Sequence, residues 1–104
     1  MEYNKLVRDK VPGEIEKEGK IPVIHTAGYV EYYKRLVDKL QEEVAEYAAS
    51  GKLEELADLL EVIYAICKLK RVKRDDLETI RKEKAKTKGG FNNRVILEEV
   101  INKG

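Results

Sequence analysis

Four acidic residues in two short clusters carry the first chemical signal in this chain. Glu43 and Glu46 stand three positions apart, as do Glu55 and Asp58, on either side of a Ser50-Gly51-Lys52 break. Carboxylates at that spacing share one face of a helix, with Cβ atoms about 5–6 Å apart. A helix climbs about 1.5 Å per residue. In an antiparallel hairpin turning at Gly51, Glu46 therefore comes level with Glu55, and Glu43 with Asp58. Four like charges converge on one patch. At about 100° per residue, Glu43 falls at the margin of its apolar face, beside Leu36, Leu40 and Tyr47. Glu55 falls on the arc of Leu59, Val62 and Ile66, where solvent exposure is not expected. A carboxylate drawn out of water needs a counter-charge. Between Lys39 and Lys68 only Lys52 is basic, so a divalent cation is the expected partner. Oxygen ligands without His or Cys select hard ions, Mg²⁺ before Mn²⁺. Glu42, Glu54 and Glu61 fall toward more polar faces.

The elements that must position these residues follow from the period of the apolar ones. From Val30, the residues Tyr33, Leu36, Val37, Leu40, Val44, Tyr47 and Ala48 recur at helical spacing. Ser50-Gly51 stops that helix, Gly being common just past a helix end. Leu53 to about Leu69 forms a second helix, apolar around more than half its circumference. Such a helix is buried on two sides, in a bundle or at a subunit interface. A third helix is expected from Asp75 as N-cap to Lys88-Gly89-Gly90, with Leu77 and Ile80 facing inward. Near the start, Val11-Pro12-Gly13 breaks regular structure, with a helical turn or two after it. Ile21–Thr26 is short, β-branched and bounded by Pro and Gly, so it reads as a strand. The tail from Arg94 to Ile101 stays open between strand and short helix. The fold class is therefore mainly α: an antiparallel helical hairpin plus a third helix. A small peripheral strand pair is expected near residues 21–26 and 94–100.

Composition excludes several chemistries. The chain has 104 residues, enough for one domain spanning 1–104 with a modest core. Net charge is +1, so no bulk field marks a binder of nucleic-acid polymers or membranes. One Cys, one His and one Ser leave no ligands for a His/Cys zinc site and almost nothing for a nucleophilic triad. Carboxylates and basic side chains must do any chemistry. The single Cys67 fits a reducing cytosol and reads as a small buried hydrophobe. The charged start MEYNKLVRDK argues against a signal peptide, and no apolar run approaches the ~20 residues of a membrane span. A cytoplasmic location is expected. His25 reads as structural, and Phe91, Tyr32, Tyr33 and Tyr64 as core.

With these residues in view, the chain resembles the all-α nucleoside triphosphate pyrophosphatases, the superfamily of MazG-type enzymes and phosphoribosyl-ATP pyrophosphohydrolase. The resemblance rests on Glu43-Val44-Ala45-Glu46 and Glu55-Leu56-Ala57-Asp58, set in KLQEEVAEY and LEELADLLEVIYAI. The flanks YNKLVRDKVP and KGGF resemble a house-cleaning branch that acts on non-canonical nucleotides. Eight residues separate Glu46 from Glu55, fewer than is usual in that superfamily.

The resemblance implies Mg²⁺-dependent hydrolysis of a nucleoside triphosphate to monophosphate and pyrophosphate by a homodimer or higher homo-oligomer. Glu43, Glu46, Glu55 and Asp58 would ligate the metal. Glu43 or Glu46 would take the proton of the attacking water. Phosphoryl transfer asks for positioning and charge neutralisation and needs no protein nucleophile. Cations for the triphosphate are expected from Lys5, Arg8 and Lys10 in the first block and Lys84 and Lys88 beside Gly89-Gly90. Asp9 is open between orienting Arg8, helping the metal and a surface ion pair. Two other readings stand beside this one: a non-catalytic helical module whose acidic hairpin docks a basic partner, and a phosphoribosyl-ATP pyrophosphohydrolase.

Overall fold

A computed structural model describes residues 4–104. Tyr3, the first residue of the YNKLVRDKVP block, lies outside the described residues. The described part is mainly α, with four helices: α1 (Val11–Lys17), α2 (Tyr29–Ser50), α3 (Leu53–Leu69) and α4 (Arg74–Lys88). The chain divides into two compact units, one ending at Arg71 and the other Val72–Gly104.

In the first unit, α2 and α3 pack against each other as the hairpin that the Ser-Gly-Lys break implies. Gly51 ends α2 in the left-handed conformation, at φ 66° and ψ 13°, and its N–H donates to the Tyr47 carbonyl. The Lys52 N–H donates to Ser50 Oγ at 3.2 Å, tightening the two-residue connection. Among the described residues, the buried apolar ones are Leu36 on α2 and Val62 and Cys67 on α3. Cys67 is thus the buried hydrophobe its neighbours imply. Lys70, at the end of α3, sets its ammonium 5.3 Å from the Tyr33 ring centre, a cation–π contact across the hairpin.

Several local expectations need correction. Val11-Pro12-Gly13 opens α1 instead of interrupting the chain. Pro lies within the first turn, where its missing N–H costs nothing because that donor has no intrahelical acceptor. Residues 21–26 form no strand, and neither do residues 94–100; no strand occurs among the described residues. A two-stranded ribbon is marginal alone, and Pro22 removes a ladder donor from the first segment. Ile21 and Val23 stand 89% and 95% exposed.

In the second unit, α4 begins one residue before Asp75, with Lys73 at the N-cap. The Lys73 N–H donates to the Asp76 carboxylate at 3.2 Å, and Asp75 lies in the first turn, where negative charge suits the helix dipole. Leu77 is half-buried, but Ile80 is exposed. Phe91, expected in the core, is 97% exposed on the irregular segment that follows Gly89-Gly90. No helix is long and apolar enough to cross a membrane among the described residues.

Candidate metal centre

The hairpin brings Glu43 from α2 together with Glu55 and Asp58 from the first two turns of α3. One carboxylate oxygen from each lies within 4.8 Å of the others. Around an octahedral Mg²⁺ with oxygens at about 2.1 Å, ligand atoms sit about 3 Å apart when adjacent and about 4.2 Å when opposite. To hold such an ion, the three oxygens would close to those spacings.

Burial within the triad reverses the expectation from helical arcs. Glu43, placed at the apolar margin, is the buried one at 6% exposure, whereas Glu55 and Asp58 are half-buried. α3 packs along α2, where Glu43 lies well before the helix end, while Glu55 lies in the first turn of α3, next to the connection. Among the described residues, Glu43 Oε2 is buried without a hydrogen-bond partner. Its Oε1 lies 3.8 Å from Lys39 Nζ, one turn earlier on α2. Burial and the charges of Glu46 and Asp58 together raise the Glu43 pKa, with Lys39 opposing them. Glu55 is raised as well, by partial burial and then by Glu46, Asp58 and Glu54. Glu46, expected as a fourth member of the cluster, stands near both Glu43 and Glu55 but is exposed at the edge of the triad.

A donor set of oxygens, with one buried oxygen lacking a partner among the described residues, fits a hard divalent cation. A buried polar atom left unpaired costs about 1–3 kcal/mol, so a bound cation would remove a standing penalty.

The first block of the chain brings one basic side chain to the triad and another to the neighbouring Glu42. Arg8 Nη2 donates to Asp58 Oδ1 at 2.7 Å. Lys5 Nζ donates to Glu42 Oε1 at 3.1 Å, which lowers the Glu42 pKa. Lys39 Nζ lies 3.6 Å from the same Glu42 oxygen. A cleft of about 500 Å³ runs between this block and the hairpin, with Leu6, Arg8, Lys10, Tyr32, Lys39 and Val62 among its walls. Lys10 is exposed on that cleft. Lys84 and Lys88 belong to the second unit, exposed on α4. Asp9 is exposed on the turn entering α1 and also lines the cleft. The Glu31 carboxylate lies 3.0 Å from His25 Nε2, outside the acidic cluster.

Lys39 corrects the expectation that Lys52 is the hairpin's one basic partner. Lys39 is four positions before Glu43, a spacing that brings opposite charges together on a helix. That signal was present. The Arg8–Asp58 pair spans 50 positions and has no local signal.

No family model matches the chain, and no solved structure matches it. An uncharacterized protein of Mycolicibacterium smegmatis (strain ATCC 700084 / mc(2)155) is 49% identical over 45 residues, 43% of this chain. The shared segment spans 46% of that relative's length.

Proposed function

We propose that the protein is a Mg²⁺-dependent nucleotide pyrophosphohydrolase, cleaving nucleoside triphosphates, non-canonical ones included, to monophosphate and pyrophosphate. One observation carries the reading: three carboxylates from two helices converge within 4.8 Å around a buried Glu43 whose second oxygen has no partner among the described residues. Glu43, Glu55 and Asp58 would hold the ion, with Mn²⁺ an acceptable substitute. When bound, the ion would neutralise phosphate oxygens and lower the pKa of a coordinated water. Glu46, exposed beside the triad and outside it, would accept the proton of the attacking water. Arg8 and Lys10 line the adjoining cleft and Lys5 lies in the same block, so their charges suit a polyphosphate chain there. The setting would be cytoplasmic, and exposed apolar side chains on α3 support a homodimer or higher homo-oligomer.

A panel of nucleoside triphosphates with and without Mg²⁺, read by product analysis, tests this. Pyrophosphate and monophosphate should appear only with the metal, and Glu55→Ala should abolish turnover while the helical circular dichroism stays unchanged. Release of orthophosphate, or turnover in excess chelator, would reject the proposal.

A second reading is favoured by a different observation. Leu53, Leu56 and Leu60 are 79%, 39% and 42% exposed along α3, an apolar row suited to a macromolecular partner. A non-catalytic module would show no turnover, and its thermal midpoint would not move with millimolar Mg²⁺ or Mn²⁺.

A further inference from the structure

Arg8 stands in two places at once. Its guanidinium holds Asp58 at 2.7 Å, and the same side chain lines the cleft that continues to Tyr32 and Lys39. We infer that Arg8 is a displaceable counter-ion: it occupies Asp58 in the metal-free protein, is released by a divalent cation, and then serves an anionic phosphate group in the cleft. This rests on the metal-centre reading given above.

Three features make Arg8 suited to that exchange. First, it neutralises a carboxylate that a cation would need, since Asp58 is one of the three that converge. Second, its hold is weak. The Arg8 side chain is 59% exposed and that of Asp58 39%, and exposed ion pairs contribute at most about 1 kcal/mol. A dication meeting three carboxylates gains far more, and a guanidinium sharing Asp58 with that dication would be repelled. Third, the side chain can leave without disturbing the fold. Arg8 lies on irregular backbone before α1, and its own carbonyl anchors that backbone by accepting the Val11 N–H at 3.0 Å. The guanidinium can therefore turn while the main chain stays in place. Lys39 cannot play this part. It is on α2, 3.8 Å from Glu43, and also engages Glu42, so it offers steady background charge.

The role predicts effects of opposite sign from one substitution. Arg8→Ala frees Asp58, so Mg²⁺ or Mn²⁺ alone should bind about two- to five-fold more tightly, as expected for removal of an exposed ion pair. The same variant should bind a non-hydrolysable methylene-bridged nucleoside triphosphate about ten-fold more weakly in saturating Mg²⁺, through loss of a charge-assisted contact. Lys10→Ala lowers the local positive charge equally but leaves Asp58 paired, and its metal affinity should stay near wild type. Calorimetric titration with the metal alone and then with the analogue reads both quantities. In parallel, the Arg8 side-chain ¹⁵Nε resonance should move toward its free-arginine position as Mg²⁺ is added without nucleotide. If wild-type protein binds the metal but Arg8→Ala binds it equally or more weakly, or the Arg8 signal does not move, the counter-ion role is overturned while the metal centre survives. If Lys10→Ala tightens metal binding as much as Arg8→Ala, the effect is general charge and the role is likewise overturned. If wild-type protein takes up neither Mg²⁺ nor Mn²⁺ at millimolar concentration, the metal-centre reading falls and this inference with it.

Discussion

Glu43 is where the protein accepts an electrostatic cost. Its carboxylate is buried, one oxygen has no partner among the described residues, and Glu46 and Asp58 add repulsion, so its pKa is raised. The sign of the consequence follows. A carboxyl group with a raised folded pKa binds its proton more tightly in the native state than in the unfolded chain. The resulting stability is present at low pH and is lost as pH climbs from the ordinary carboxylate value through the raised one. Glu55 acts in the same direction. Glu42 and Glu78, held low by Lys5 and Arg81, act oppositely and lose stability as pH falls. Glu43→Gln removes the largest desolvated charge while keeping the shape. In chelator it should stabilise the protein by about 1 kcal/mol at neutral pH, with little effect near pH 4. Urea unfolding across that range measures the difference, and a gap that fails to widen with pH would contradict the assignment. With metal the order should reverse, because the neutral amide forfeits the added stabilisation; at a free ion concentration a hundred times Kd, that is about 2.7 kcal/mol for wild type.

At the scale of elements, the α2–α3 hairpin is the device that turns sequence spacing into a site. Register depends on the connection being two residues long and on Gly51 sitting at φ 66°. A side chain there would meet no neighbouring atom within 4 Å, so packing does not require glycine; only the backbone conformation does. Gly51→Ala should therefore cost about 1 kcal/mol from left-handed strain alone, lowering the thermal midpoint by several degrees. Residual native protein should still bind Mg²⁺ with unchanged affinity, since the helices keep their register once formed. A large loss of metal affinity in the folded variant would mean that the turn also sets the distances between the carboxylates. The start of α1 carries a related lesson. Pro12 and Gly13 look like punctuation, yet Pro is tolerated in a first turn, so the helix begins where a break is expected.

Across the whole molecule, buried apolar side chains are scarce among the described residues: Leu36, Val62 and Cys67. Leu53, Val44 and Leu60 remain 79%, 53% and 42% exposed on the hairpin helices. Water contact on that much apolar surface is costly, at roughly 25 cal/mol per Å². Self-association through the hairpin would relieve it. Sedimentation at micromolar concentration should show a dimer or larger species, and Leu60→Lys should shift it toward monomer with a lower midpoint of unfolding. A wild-type monomer at all concentrations would contradict this account and leave the apolar row to a different partner.

The helical period, the stop at Gly51 and the approach of Glu43 to Asp58 were legible residue by residue, whereas Glu46, expected in the same cluster level with Glu55, stays at its edge. Each depends on backbone hydrogen bonds and spacings of three or four positions, which are local and do not wait for a core. Three things were not legible. Glu43 rather than Glu55 became the buried acid, the segments near 21–26 and 94–100 stayed irregular, and Arg8 came to rest on Asp58. Burial depends on which face a neighbouring helix covers, and a strand depends on finding an edge to pair with. An ion pair 50 positions apart depends on the path of an irregular segment. The sequence alone determined which groups could carry the chemistry. Their protonation, shielding and counter-charges were set only when distant segments closed over one another, because electrostatic energies depend on distance and solvent access, and neither is a property of residue order.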